Sequence, residues 1–392
     1  MAEKRQVYLD YSATTPAKRE VVEEMIPYFT EKFGNASTLY STGLEAKESL
    51  EKARAQVAAL INAEPKEILF TSGGTESDNW AVTEIARKLK AKGKHIITSA
   101  IEHHAILYTC KELEKEGFEF TYVGVNSEGL IDPAEVRAAI RPDTILISIM
   151  FVNNELGTVQ PIPEIGAIAK EHGIIFHTDA VQGVGNVFID VKAMNIDMLS
   201  MSSHKIYGPK GIGALYTRTG INIPPMIYGG AQERKKRAGT ENIPAIVGFG
   251  KAAEIAKENF EAHVAHTSSL RDHFVERILN EIPHTYYNGS KEHRHPGNAN
   301  ITFDFVEGES ILLLLDYAGV ACSSGSACSS RSLQPSHVLE ALGMPVHQIH
   351  GTIRFTFGDP TTMEDVDYAV DSLKQVITRL REISPITSEK GW

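Results

Sequence analysis

Between about residues 44 and 217 short apolar runs alternate with amphipathic stretches, the pattern of a mostly parallel sheet flanked by helices. Glu67–Thr71, His95–Ser99, Phe118–Val123, Thr144–Met150, Ile174–Asp179, Asp197–Ser202 and Ile212–Tyr216 read as seven strands. Over 44–61, Ala46, Leu50, Ala53, Val57, Leu60 and Ile61 recur at steps of three and four, which predicts a helix with one buried face. Ala81, Val82, Ile85 and Leu89 predict another after Ser72–Thr75. The fold class is therefore α/β. After Pro244 one long helical stretch is predicted to about 280. Beyond it come an alternating segment at Ala299–Phe305, a Gly/Ser loop at 323–330 and a closing helix. That helix opens on the capping box Thr362–Asp365 and carries Val366, Ala369, Val370, Leu373, Val376, Ile377 and Leu380 on one face. A chain of 392 residues with this change of pattern implies two lobes. The tail from Ser384 reads as loose.

Composition narrows the partners. At 42% hydrophobic and 23% charged residues the chain is neither disordered nor collagenous. The 39 Lys+Arg against 50 Asp+Glu leave −11, a field that repels phosphate backbones, so no nucleic acid is expected. Cys110, Cys322 and Cys328 are an odd count, which argues against a disulfide framework and for a reducing compartment such as the cytoplasm. The start, Met-Ala-Glu-Lys-Arg-Gln, lacks an apolar core, and runs such as Ile145–Val152 are too short for a bilayer span, so no membrane segment is expected.

Five stretches carry chemistry. Ser72-Gly-Gly-Thr75-Glu-Ser-Asp78 lies between a strand and a helix, where glycines let backbone N–H groups meet a phosphate; it reads equally as a tight turn with Thr75 and Asp78 as a capping box. Asp179 ends an apolar strand in His177-Thr-Asp179-Ala-Val-Gln182, where ligands of open α/β sheets sit, and a protonated pyridine nitrogen would offset its burial; the alternative is a local turn. Lys205, in the Ser/His/Gly-rich loop Ser200–Gly211, is an imine-forming candidate. Phosphate cradle, strand-end Asp and loop Lys are the anchors that pyridoxal phosphate needs. Glu102-His103-His104 offers a ring-stacking, proton-moving histidine or a polar helix start, without zinc-ligand spacing. Cys328, in a small-residue loop near Arg331, reads as a nucleophile, whereas Cys110 and Cys322 read as packing residues. Arg234–Arg237 reads as a solvated loop or anion-facing edge, and His293-Arg-His295-Pro-Gly as a surface turn.

Taken together, Tyr8–Pro16, Phe33–Ser37, Thr71–Asn79, Val152–Glu155, His177–Gln182, Ser202–Gly211, Arg237–Thr240, Ser323–Ser330 and Ile353–Phe355 resemble the cysteine desulfurases of the NifS/IscS type, class V of the aminotransferase superfamily. The resemblance implies pyridoxal phosphate fold type I. It divides the chain into a segment 1–15 packing with the small domain, a large cofactor domain 16–260 and a smaller α+β domain 261–392 carrying the Cys328 loop. It also implies that Lys205 bonds the cofactor aldehyde, Asp179 pairs with the ring nitrogen, Gln182 meets the ring hydroxyl and His103 stacks on the ring. Gly74, Thr75, Ser202 and His204 would hold the phosphate, with Thr240 donated by the second subunit of a homodimer. Asn154 and Arg354 would hold the substrate carboxylate. L-cysteine would become alanine, its sulfur carried as a persulfide on Cys328 to an acceptor such as an iron–sulfur scaffold. No resident metal is implied, Cys328 being at most a transient ligand to an iron–sulfur cluster. A selenocysteine lyase, another class V aminotransferase and a non-catalytic scaffold are the alternatives.

Overall fold

The computed structural model describes residues 5–324 and 335–384. Its strands, in chain order, are β1 (Val7–Tyr8), β2 (Ile68–Thr71), β3 (His95–Ser99), β4 (Glu119–Val123), β5 (Thr144–Ser148), β6 (Ile175–Asp179), β7 (Met198–Ser202), β8 (Gly213–Thr217), β9 (Thr285–Asn288), β10 (Asn298–Phe303), β11 (Val320–Ala321) and β12 (Thr352–Thr356). Strands β2 to β8 are the seven read from the sequence, and they form one sheet in the order β2-β8-β7-β6-β5-β3-β4. The pairings from β7 through β4 are parallel, while β8 runs antiparallel to both β2 and β7.

Alternate residues of these strands serve opposite faces, as a pleated strand requires. Phe70, Ile97, Ile147, Phe176, Leu199 and Tyr216 enter one core, with the helices Ser41–Leu60, Ile162–His172 and Ile243–Glu258. Leu69, Ile96, Leu146, Met198 and Leu215 enter the other, under the helices Gly74–Leu89 and His104–Lys115. Both faces are covered, which is why the strands read as apolar runs rather than alternating ones.

A second sheet, β12-β10-β9, is antiparallel and packs with the helices Phe260–Glu281, Gly308–Ala318 and Met363–Ile383. Val7 and Leu9 belong to this core, and β1 pairs in parallel with β11. The closing helix starts at the capping box between Thr362 and Asp365. Two expectations change. The stretch after Pro244 is two helices, broken at Asn259, whose side chain caps Ile255 O. Every residue of β10 is buried, so its alternation marks two covered faces instead of a wet and a dry one. The loose tail lies, beyond Ser384, outside the described residues.

The His293–Gly297 segment is not a surface turn. Arg294 is 8% and His295 7% exposed, because the guanidinium fills a site walled by carbonyls: it donates to Ser290 O at 2.5 Å, Leu156 O at 2.8 Å, Asn298 O at 3.2 Å and Asn288 O. Burial lowers the pKa of Arg294 to about 10 and that of His295 to about 3, nearby His263, Arg271 and Arg294 adding to the latter. A histidine depressed in the fold stabilises fully above its unfolded value and loses that contribution as pH falls through about 6.5 towards the folded value. Between pH 7 and pH 5, His295→Gln is therefore expected to lose about 2 kcal/mol less stability than the unsubstituted chain, read from urea midpoints at both pH values. Equal losses would show that His295 is protonated without penalty.

Candidate active site

The carboxyl ends of the parallel strands open into a cavity of about 350 Å³, the low end of small-molecule sites. Gly74, Thr75, His103, Asn154, Asp179, Gln182, Ser202, His204, Lys205 and Arg354 all line it. The structure thus brings together residues spread over 280 positions of sequence, which a parallel sheet does by delivering each βα turn to one edge.

The cradle is built by close approach. The helix Gly74–Leu89 begins directly after Gly73, so Thr75 and Asp78 are not its capping box; Asp78 is 1% exposed. A Cβ on Gly213 of β8 would meet Gly73 Cα at 2.7 Å, and one on Gly74 would meet Val181 at 2.5 Å. Free N–H groups at this helix start suit an anion. Glu76 accepts from Ser72 N at 2.9 Å and from Arg237 at 3.0 Å, tying the basic run to the cradle. Arg234 and Lys236 donate to the carbonyls of Lys66 and Ile223, so this run is bound to its own protein surface.

Lys205 ends a short 3-10 turn, Ser203–Lys205, after β7. Its ammonium donates to Ser12 O and, at 2.9 Å, to Ala13 O. Gln182 Nε2 also donates to Ser12 O at 2.9 Å. Asp179 Oδ1 accepts from Val181 N at 2.9 Å, the local turn noted as an alternative, while the carboxyl still faces the cavity. Burial pushes its pKa above the ordinary carboxylate range, opposed by His103, the Val181 N–H and Lys205.

His103 is the polar helix start that the sequence allowed, and it lines the cavity. Its Nδ1 accepts from Ala105 N at 3.1 Å as N-cap of the helix His104–Lys115, which leaves the proton of the neutral ring on Nε2. Burial lowers its pKa, with Asp179 pulling the other way. His204 Nδ1 lies 3.1 Å from Thr14 Oγ1, and burial with Lys205 and Lys210 holds its pKa down at about 4.

Arg354 is 3% exposed and clamped: it donates to Asp10 Oδ1 at 2.8 Å and Asn154 O at 2.7 Å, while its Nε has no partner. A buried guanidinium beside a cavity is chemically suited to pair with a carboxylate. Asn154 meets Arg354 through its carbonyl, a contact that side-chain reasoning does not foresee.

Thr240 does not line this cavity; it is exposed on the same chain. Cys328 lies outside the described residues. Cys110 is buried and Cys322 packs against the second core, as packing cysteines should. Asp10, Ser12 and Ala13 lie in the Tyr8–Pro16 stretch, but their roles are not legible in sequence, since Ser12 and Ala13 act through carbonyls and Asp10 through distant Arg354. Among the described residues no group of three His, Cys, Asp or Glu is placed to hold a metal, and no helix is long and apolar enough to cross a membrane.

The model of the Aminotransferase class-V family, whose members are pyridoxal phosphate enzymes, matches residues 7–369. A protein of Methanosarcina thermophila named cysteine desulfurase IscS is 55% identical over 388 residues, covering 99% of this chain and 96% of that protein. One of the same name from Dictyoglomus turgidum is 53% identical over 386 residues, 98% of each. Among solved structures, a NifS-like protein superposes with TM-score 0.91 at 36% identity, covering 96% of this chain and all of that one. A structure titled SspA in complex with cysteine gives 0.81 at 41% identity, covering 90% and 99%. The strand-end cavity, its lysine and carboxylate, and a family match spanning almost the whole chain make this protein a member of the class-V aminotransferase family.

Proposed function

We propose that the chain is a cysteine desulfurase that converts L-cysteine to L-alanine and passes the sulfur, held as a persulfide on Cys328, to an acceptor protein for iron–sulfur assembly or thiolation. The observation that carries this is one cavity holding Lys205, Asp179, the Gly74–Thr75 cradle and a clamped Arg354, in a chain whose relatives bear that name. The glycine-tight cradle fits the cofactor's phosphate, and the buried Arg354 guanidinium fits a substrate carboxylate.

Pyridoxal phosphate bound there supplies an aldehyde for imine formation and an electron-accepting ring. Gly74, Thr75, Ser202 and His204 would hold its phosphate, with Thr240 of a second copy in a homodimer, and Asp179, Gln182 and His103 would hold its ring. Lys205 then takes the proton from the substrate α-carbon, and Arg354 with Asn154 orients the carboxylate. The Cys328 thiolate attacks the substrate sulfur; the carbon–sulfur bond breaks, a sulfur–sulfur bond forms and alanine leaves. The chain's division at 15 and 260 and a cytoplasmic, reducing setting belong to the same reading, since a persulfide carrier needs free thiols.

The test is alanine formed from L-cysteine with a reductant present; an amino-acceptor requirement in its place would identify an aminotransferase. A finer outcome concerns Asp10. Asp10→Asn removes the carboxylate that aims Arg354 and is expected to raise KM for cysteine about tenfold with a smaller change in kcat. An unchanged KM would mean that Arg354 is held without it.

A further inference from the structure

Behind the cavity wall four buried side chains from separate elements stand in a row. Ser148 Oγ of β5 lies 2.9 Å from His177 Nδ1 of β6, and His177 Nε2 lies 3.0 Å from Ser200 Oγ of β7. Beside Ser200 lies the carboxyl of Asp78, in the helix Gly74–Leu89. Each is 1% exposed or less, and Asp78 Oδ1, 3.8 Å from His177 Nε2, has no hydrogen-bond partner.

Asp78 and Asp179 line the same cavity, yet their surroundings differ. Asp179 has the Val181 N–H, with His103 and Lys205 close by. Asp78 has a hydroxyl, and it faces the repulsion of Asp179 and of buried Glu102. Burial first, then these two carboxyls, push its pKa well above the usual range. His177 cannot neutralise it as a cation, because burial lowers that imidazole's pKa to about 3. A carboxylate with one neutral donor in a dry site is much costlier than the acid, and two carboxyls sharing a site do not both ionise readily.

We propose that Asp78 is held as the neutral carboxylic acid and is a positioning residue: its O–H donates to Ser200, Ser200 to His177 Nε2 and His177 Nδ1–H to Ser148, which leaves Asp179 as the carboxylate toward the cofactor's ring nitrogen. This direction leaves Oδ1 as a carbonyl oxygen, the polar atom that tolerates lacking a partner best. The inference rests on the reading that the cavity takes pyridoxal phosphate.

Infrared difference spectra of the full chain against Asp78→Asn, with and without added pyridoxal phosphate, test it together with cofactor titrations. The expected result is a carboxylic-acid carbonyl band at pH 7 that Asp78→Asn removes. Asp78→Ala should weaken pyridoxal phosphate binding about tenfold, and Asp78→Asn, which still donates to Ser200, should bring it back to within about threefold. A merely structural role would give no acid band. A cofactor-binding chain without that band, or an Asn variant as impaired as the Ala variant, overturns the inference. A chain with the acid band that binds no pyridoxal phosphate overturns the functional reading, and the role of Asp78 toward Asp179 with it.

Discussion

Lys205→Ala is expected to lower alanine formation from L-cysteine by about 10⁴-fold or more, because in the proposed reaction one side chain would both bond the cofactor aldehyde and move the α-proton. The ammonium is seated on the carbonyls of Ser12 and Ala13, so its removal empties a polar seat that a methyl group cannot fill. Borohydride reduction followed by peptide mass spectrometry supplies a second readout: the unsubstituted chain should carry the cofactor mass on the peptide containing Lys205, and the variant should carry none. A cofactor adduct on another lysine would move the chemistry elsewhere in the cavity.

Cys328→Ala separates sulfur chemistry from cofactor binding. Cofactor content should match the unsubstituted chain, while alanine formation falls by about 10³-fold or more, since no other step in the scheme accepts the sulfur. Equal alanine from both proteins would remove Cys328 as carrier and put a lyase or an aminotransferase in its place. Loss of the cofactor in the variant would break the separation of roles. Together the two substitutions divide the reaction at the carbon–sulfur bond: one stops the chemistry before it, the other at it.

Strand existence was legible in the sequence because β2 to β8 are covered on both faces, which leaves short apolar runs between turns. Strand order and the reversed direction of β8 were not, since pairing depends on contacts between distant segments that periodicity does not encode. Lys205, Asp179, Gly74 and Thr75 could be found from the rule that ligands meet strand ends, and the structure places them on one cavity. Asp10 stands in the Tyr8–Pro16 stretch, yet its role is visible only beside Arg354, more than 300 residues away. Arg294 and His295 misled for the opposite reason: charged and turn-forming residues read as surface, whereas four carbonyls wait for that guanidinium inside. In sequence Asp78 also fits half of a capping box, the alternative to a phosphate cradle, whereas its carboxyl is buried beside Ser200.

The strap formed by residues 7–13 sets a timetable. Its first strand pairs with Val320–Ala321, Leu9 O accepts from Thr356 N, and Asp10 reaches Arg354, while Ser12 and Ala13 seat the lysine. This strap therefore waits for segments more than 300 residues further along the chain before either is in place. A growing chain can close the seven-stranded sheet while its lysine seat stands open, so the seat is completed only once residues 320–356 have joined the strap, and anything that holds residues 7–13 elsewhere interferes with a site far along the sequence.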